Sequence, residues 1–288
     1  VASNLGTELS EVERKEFASG EIYLRLGESV RGADCFVLQS HSGDINRTIM
    51  EQLLMVDALK RASAKRITAV LPFYPYSRQD KKALPREPIS ARLISDMYVA
   101  AGVDRMVSID LHTQQIQGFV DQPFDHLTAM PLFVDYFKEK VDGPISIISP
   151  DAGGVKRATI FAKHLEAYVG FVHKKRDPKV HNEVKSFTVI GEVEDRHAIL
   201  LDDIIDTGGT IAAASRILKE RGAQKVSAIV SHCVLNETGR TRLMSGMLDE
   251  LITTNSVGME YGDLPIKQLS VASLLGEAIN RTHTDSSI

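Results

Sequence analysis

A chain of 288 residues, 43% hydrophobic and 25% charged, has the balance of an ordinary globular protein, and its length suggests two domains. The formal net charge of −4 excludes broad attraction to nucleic acid or to a membrane surface, so an anionic ligand has to be held by local cations. No apolar run reaches the length of a membrane span and no signal peptide is visible. The two cysteines, Cys35 and Cys233, each sit in an apolar run, which fits buried thiols in a reducing compartment rather than a disulfide framework.

In chain order, Glu21 to Leu26 alternates, with Ile22, Leu24 and Leu26 on one face, and predicts a strand. A second strand follows at Cys35 to Leu38. Ile45 to Ala62 predicts a helix burying Ile49, Leu53, Val56 and Leu59. Ile67 to Phe73 predicts a strand, and Ile89 to Ala101 a helix ended by Gly102. Met106 to Ile109 is a strand and Gln114 to Phe119 a short helix. The pattern then restarts, which places a domain boundary near Ala129. Helices at Leu132 to Val141, Val155 to Leu165, Arg240 to Ser245 and Ala272 to Arg281 are expected. They are interleaved with strands at Ile145 to Ser149, Val169 to His173, Phe187 to Ile190, Val226 to Val230, Leu248 to Thr253 and Lys267 to Val271. Strands alternating with helices imply an α/β protein with mostly parallel sheets.

One stretch organises the second half. An apolar run, Ala198 to Leu201, predicts a buried strand, closed by the adjacent carboxylates Asp202 and Asp203. Asp206-Thr207-Gly208-Gly209-Thr210 follows, and then an amphipathic run from Ile211 to Arg221. Such a turn suits an anion. Gly208 and Gly209 allow close backbone approach and positive φ, and the first N–H groups of the next helix favour negative charge. Thr207 and Thr210 add hydroxyl donors, while Asp202 and Asp203 can accept hydrogen bonds from sugar hydroxyls. A plain β–α turn with exposed acids is the bland alternative, but the acidic pair, the third Asp and Thr-Gly-Gly-Thr together are more specific. The stretch resembles the phosphoribosyl pyrophosphate loop of the phosphoribosyltransferase-type fold. It is neither a P-loop nor a dinucleotide fingerprint.

Three further expected strand ends carry polar residues: Asp110-Leu111-His112, Ser149-Pro150-Asp151 and His173-Lys174-Lys175-Arg176. Period two puts Asp110 and His112 on one side if the strand persists. Taken singly, they read as a satisfied histidine, an N-cap and a solvated loop. Taken together at successive strand ends, where open α/β sheets bind ligands, they suggest a site for a divalent cation and polyphosphate. Between Pro72 and Leu93 lie Arg78, Lys81, Lys82, Arg86 and Arg92 against Asp80 and Glu87, with Pro72, Pro75, Pro85 and Pro88 opposing a helix. A cationic loop of this length in an acidic chain reads either as a solvated loop or as a lid over phosphates.

Several separate stretches resemble the ribose-phosphate pyrophosphokinase family, of the common phosphate-activated bacterial class. They are Glu16 to Glu21, Ser77 to Asp80, Arg86 to Ile89, Asp110 to His112 with Gln115 to Phe119, Ser149 to Asp151, Lys174 to Arg176, and Asp202 to Thr210. They run in family order over nearly the whole chain. The resemblance implies two phosphoribosyltransferase-type domains, 1–129 and 130–271, with the C-terminal helix, 272–288, packing back on the first. It implies transfer of the pyrophosphoryl group of ATP to the C1 hydroxyl of ribose 5-phosphate, giving phosphoribosyl pyrophosphate and AMP for nucleotide biosynthesis.

By the same resemblance Phe17, Ser19, Gly20, Glu21, Arg78 and Gln79 contact ATP, and His112 and Asp151 are Mg²⁺ ligands. Lys174 and Arg176 are catalytic, and Arg176, Asp202, Asp203, Asp206, Thr207, Gly208, Gly209 and Thr210 hold ribose 5-phosphate. It further implies a cytoplasmic homo-oligomer, a hexamer whose ATP site is shared between chains, with inorganic phosphate and ADP as regulators. Against the family pattern the chain begins at Val1 without the first strand and helix. It carries Ser19 where the family usually has Asp, weakening one adenine contact, and stops at Ile288, a few residues short of the usual end, which belongs to the family's regulatory site. A phosphoribosyltransferase would share the acidic turn but has no reason to carry Ser77 to Asp80. A non-catalytic regulatory relative would carry altered loops, whereas His112, Lys174, Arg176 and the acidic turn are all present.

Overall fold

A computed structural model describes the whole chain except residues 142, 177–183, 245–246 and 263, and except the side chains of 174–176, 184–187 and 244. The chain divides into two units, each built around its own sheet.

The first unit comprises Val1–Thr128, Ser256–Gly258 and Ser270–Ile288. After one turn of helix, α1 (Ala2–Leu5), strands β1 (Val12–Glu16) and β2 (Ile22–Leu26) pair antiparallel. Then come β3 (Asp34–Leu38), α2 (Ile45–Arg61), β4 (Arg66–Leu71), α3 (Ser90–Ala101), β5 (Arg105–Ile109), a 3-10 turn at Gln114–Phe119 and β6 (Phe124–Leu127). Strands β3-β4-β5-β6 form a parallel sheet in chain order. Helix α2 starts where the Asp44 carboxylate accepts the Arg47 N–H at 3.1 Å, and it ends in Lys60 and Arg61, which suit its negative pole. Its Ile49, Leu53, Val56 and Leu59, spaced for one face, pack against Ile67, Ala69 and Leu71 of β4.

Two strands lie outside the sequence expectations. The β1 segment Val12–Glu16 has four charged residues in five, so no apolar alternation announces it, and β6 is only four residues long. Asp110 also departs from expectation. Strand β5 stops at Ile109 and Asp110 turns to φ +39°, so Asp110 and His112 do not share a strand face.

The second unit comprises Ala129–Asn255 and Met259–Leu269. Its elements are α4 (Met130–Lys140), β7 (Ile145–Ser149), α5 (Val155–His164), β8 (Tyr168–Arg176), β9 (Val184–Ile190) and β10 (His197–Ile205). They continue with α6 (Gly209–Glu220), β11 (Lys225–Cys233), α7 (Glu237–Met244), β12 (Glu250–Thr254) and β13 (Ile266–Leu269). The seven strands lie in the order β13-β12-β11-β10-β7-β8-β9, parallel except for β8 with β9. Central β10 is buried on both faces from Ala198 to Leu201, as a middle parallel strand must be. The chain then returns to the first unit through α8 (Ala272–His283). There Gly276 faces Asn4 and Leu5 of α1. Arg66 donates to Asp34, to Asp285 at 2.9 Å and to the Thr282 carbonyl at 2.7 Å. Burial works against the Asp34 charge, but its bonds to Arg66 and His283 hold the carboxyl below its usual range.

Candidate functional site

Strand β7 is flanked by β8 on one side and β10 on the other, so the chain direction across the second sheet reverses at β7. Open α/β sheets bind ligands outside the carboxyl ends of strands at such a switch point. Here β10 outlasts its neighbour. It pairs with β7 only as far as Leu200↔Ile148 but stays on β11 to Ile205↔Cys233. The acidic pair therefore lies inside an extended strand rather than closing it, which corrects the shorter strand read from the apolar run. Adjacent strand residues face opposite ways. Asp203 is 4% exposed and accepts from the Arg157 guanidinium of α5 at 3.1 Å. Asp202 is half-buried, and its carboxylate accepts the Asp203 N–H at 2.9 Å. Burial first, and the neighbouring Asp203 charge second, push the Asp202 carboxyl well above the usual range.

The turn after β10 is tighter than expected. Gly208 is the N-cap at φ +65°, and α6 starts at Gly209 rather than Ile211, its first helical bond running from Ala212 N–H to the Gly208 carbonyl at 2.9 Å. Gly208 needs the left-handed region that L side chains rarely enter. The N–H groups of Gly209, Thr210 and Ile211 precede the helical ladder and point out of the helix start, where its dipole favours an anion. The turn rests on residues distant in sequence. Asn236 Nδ2 lies 3.4 Å from Asp206 Oδ1, and Arg242 Nη1 donates to the Thr207 carbonyl at 3.0 Å.

At the end of β7, Asp151 Oδ1 accepts the Gly153 and Gly154 N–H groups at 2.9 and 3.2 Å, capping the turn into α5. Lys174 and Arg176 lie on β8, which runs on past His173. Their side chains, and so both catalytic assignments, are outside the described residues. The structure thus brings Asp151 and Asp202 to Thr210 to one end of one sheet. A cavity of about 580 Å³ opens at the opposite, amino end of these strands, lined by His197, Lys225 and Glu250 among others, and includes none of the named residues.

In the first unit, Phe17 to Gly20 form the tip of the β1–β2 hairpin, closed by Gly20 N–H to the Phe17 carbonyl at 2.8 Å, with Gly20 at φ +88°. Phe17 is 56% exposed, with Tyr23 edge-on at 6.3 Å, and the Ser19 hydroxyl donates to Glu21 at 2.7 Å. From Pro72 to Ile89 the backbone has neither helix nor strand, and Arg78 and Gln79 are exposed within it. Gln79 Oε1 accepts from Ser90 at 2.7 Å, and Asp80 accepts from Thr113, next to His112, at 3.0 Å. His112 itself is exposed. His126 Nε2 accepts the Leu111 N–H at 2.9 Å, which puts the His126 proton on Nδ1 and holds this strand end in shape.

Arg157, Asn236, Gly239, Arg242 and His126 were not legible as site residues. No local motif surrounds them, and each reaches its partner only through the fold.

Family models match both ends of the chain. One for the N-terminal domain of ribose phosphate pyrophosphokinase covers residues 1–102, and one for the phosphoribosyl synthetase-associated domain covers residues 177–288. The ribose-phosphate pyrophosphokinase of Corynebacterium efficiens is 52% identical over 100% of this chain and 90% of its own length. That of Mycobacterium tuberculosis is 48% identical over the same shares, 100% and 90%. The crystal structure of phosphoribosylpyrophosphate synthetase from Mycobacterium smegmatis is similar at a TM-score of 0.93 and 45% identity, covering 99% of this chain and 94% of that one.

Proposed function

The chain belongs to the ribose-phosphate pyrophosphokinase family, and from that premise we infer that it moves the β,γ-pyrophosphoryl group of ATP to the C1 hydroxyl of ribose 5-phosphate, giving phosphoribosyl pyrophosphate and AMP. The observation that carries this reading is the acidic strand end and glycine turn, Asp202 to Thr210, at the switch point of a seven-stranded sheet. One end of that stretch suits sugar hydroxyls and the other suits a phosphate.

In this reaction the C1 oxygen bonds to the β-phosphorus, and AMP departs with the bridging oxygen. Catalysis of this kind is mostly positioning and charge stabilisation. Asp202 accepts ribose hydroxyls, while Asp203, buried on the other face of the strand, is held by Arg157 and supports it from behind. Asp206, Thr207, Gly208, Gly209 and Thr210 bind the 5-phosphate with Arg176. Lys174 and Arg176 neutralise charge that grows on the transferring group. Phe17, Ser19, Gly20, Glu21, Arg78 and Gln79 bind ATP, and the exposed Phe17 ring offers a stacking face.

His112 and Asp151 are the proposed Mg²⁺ ligands. Among the described residues no three His, Cys, Asp or Glu side chains cluster as a closed metal cage. Mg²⁺ usually keeps several waters and is held by one or two protein ligands plus substrate phosphates. The ion would supply positive charge to offset the charge of the phosphate oxygens there.

The exposed hairpin supports a homohexamer in which Phe17, Ser19 and Glu21 reach a neighbouring chain's nucleotide, and the cytoplasm is the proposed compartment. Among the described residues no helix is long and apolar enough to cross a membrane. Inorganic phosphate and ADP are the proposed regulators. The deciding experiment measures AMP release from ATP with and without ribose 5-phosphate. AMP that forms only with the sugar present supports the reading. AMP release without sugar, or none under any Mg²⁺ condition, overturns it. Mixing Glu21→Ala with Lys174→Ala chains should restore activity if the nucleotide site is shared, and no rescue between subunits that demonstrably exchange would refute sharing.

A further inference from the structure

Helix α7 touches the glycine turn at three places. A Cβ on Gly239 would fall on the Asp206 carbonyl oxygen and within 2.6 Å of Leu235 Cδ2, so only a glycine lets α7 lie this close. One turn further along, the Arg242 guanidinium donates to the Thr207 carbonyl at 3.0 Å and lies against Gly209, where a Cβ would meet its Nη1 at 3.2 Å. At the start of α7, Asn236 caps with its Oδ1 on the Gly239 N–H at 2.8 Å while its Nδ2 faces Asp206 Oδ1. On its other side α7 is anchored by Arg240 Nη2 donating to the Glu260 carbonyl at 2.6 Å.

A trans peptide is planar, and its C=O and following N–H point in opposite directions. The Asp206 carbonyl is pressed against Gly239 and the Thr207 carbonyl is bonded to Arg242. The N–H groups of Thr207 and Gly208 are therefore turned away from α7. Two consecutive N–H groups aimed one way beside a helix N-terminus make a concavity for an anion.

We propose that Gly239 and Arg242 of α7 are positioning residues for the sugar phosphate, holding two carbonyls of the glycine turn so that the Thr207 and Gly208 N–H groups face the 5-phosphate. The proposal rests on the reading that this turn binds ribose 5-phosphate. It extends the binding machinery to a helix that carries no phosphate-binding motif and touches the ligand through the backbone it orients.

The test compares Arg242→Ala, Arg242→Lys, Gly239→Val and Gly208→Val in the full chain by steady-state kinetics, with melting curves alongside. Arg242→Ala should raise KM for ribose 5-phosphate about tenfold, the scale of one charge-assisted hydrogen bond. KM for ATP should stay within about twofold in the same variant. Arg242→Lys, which can still donate to the Thr207 carbonyl, should recover most of that loss. Gly239→Val should act in the same direction and more strongly. Equal rises in both KM values together with a lowered Tm would make α7 a merely structural support and overturn the proposal. Unchanged sugar KM in Arg242→Ala, alongside lost sugar binding in Gly208→Val, would overturn it while sparing the turn as the sugar site. Unchanged sugar KM in Gly208→Val as well would remove the site itself.

Discussion

The glycine turn of the second unit and the basic loop of the first, the two proposed phosphate sites, are built by different means. The turn is built before any ligand arrives. Gly208 is set at φ +65°, two of its carbonyls are held by α7, and the strand feeding it is buried on both faces. The loop from Pro72 to Ile89 has no regular structure and exposes Lys81, Lys82 and Arg86. Around those cations its bonds include local ones, such as the Glu87 carboxylate accepting the Ala83 and Leu84 N–H groups at 2.7 and 2.8 Å, while Asp80 is tied to Thr113 at 3.0 Å. Preorganised donors suit a site whose ligand has one shape, because no reorganisation is needed on binding. A loose cationic loop suits closure over a polyphosphate, where excluding water strengthens every charge interaction. On the proposed reading the contrast is a division of labour: a turn whose backbone is already set faces the sugar phosphate, and exposed cationic side chains face the nucleotide.

The largest effect should come from neither region but from the strand between them in sequence. Lys174→Ala is expected to lower kcat by about 10²–10⁴-fold, the scale of losing a key electrostatic group. A kcat that holds while KM for ATP rises would make Lys174 a binding contact only and shift weight to the basic loop. Next, Gly208→Val should abolish sugar binding, since valine resists φ near +65° and its Cβ would sit 3.4 Å from the Gly239 carbonyl. Asp202→Ala should raise KM for ribose 5-phosphate well above any change for ATP. Sugar KM values unmoved in both variants would break the claim that the turn is the rigid partner in this comparison.

The loop gives a smaller, conditional effect. Trypsin should cut the free protein at Lys81, Lys82 or Arg86, and ATP with Mg²⁺ should slow that cleavage. Equal rates with and without nucleotide would dissolve the contrast, leaving a solvated loop.

The smallest effect concerns Asp202 itself. Burial and the Asp203 charge raise its folded-state pKa above the unfolded one. A carboxyl shifted this way contributes stability below its unfolded value, near ~4, and that contribution is lost as pH rises through the folded value. Asp202→Asn should therefore stabilise the protein by on the order of 1 kcal/mol at pH 8 and leave it unchanged near pH 4, read from urea unfolding at both pH values. A pH-independent difference between the two proteins would show that the acidic pair stores no such strain.

Much of this molecule was legible from short-range patterns. Alternation and helical spacing announce the strands and helices because periods of two and 3.6 residues are set within a few positions. The glycine after α3 and the four prolines of the basic loop act over the same short range, through φ preferences. Thr-Gly-Gly-Thr marked the turn for the same reason: a tight turn into a helix needs a glycine where it bends. The tertiary structure alone decided what surrounds them. It extended β10 through Asp202 and Asp203, because pairing with β11 continues where β7 has ended. Pairing with Tyr23 and its neighbours also made a strand of the charged β1 segment. Packing brought Arg157 to Asp203 across 46 positions and Arg242 to Thr207 across 35. No local preference of an arginine encodes such a meeting; it follows from which helices lie beside the strand end, and that is settled by burying the apolar faces of the whole sheet.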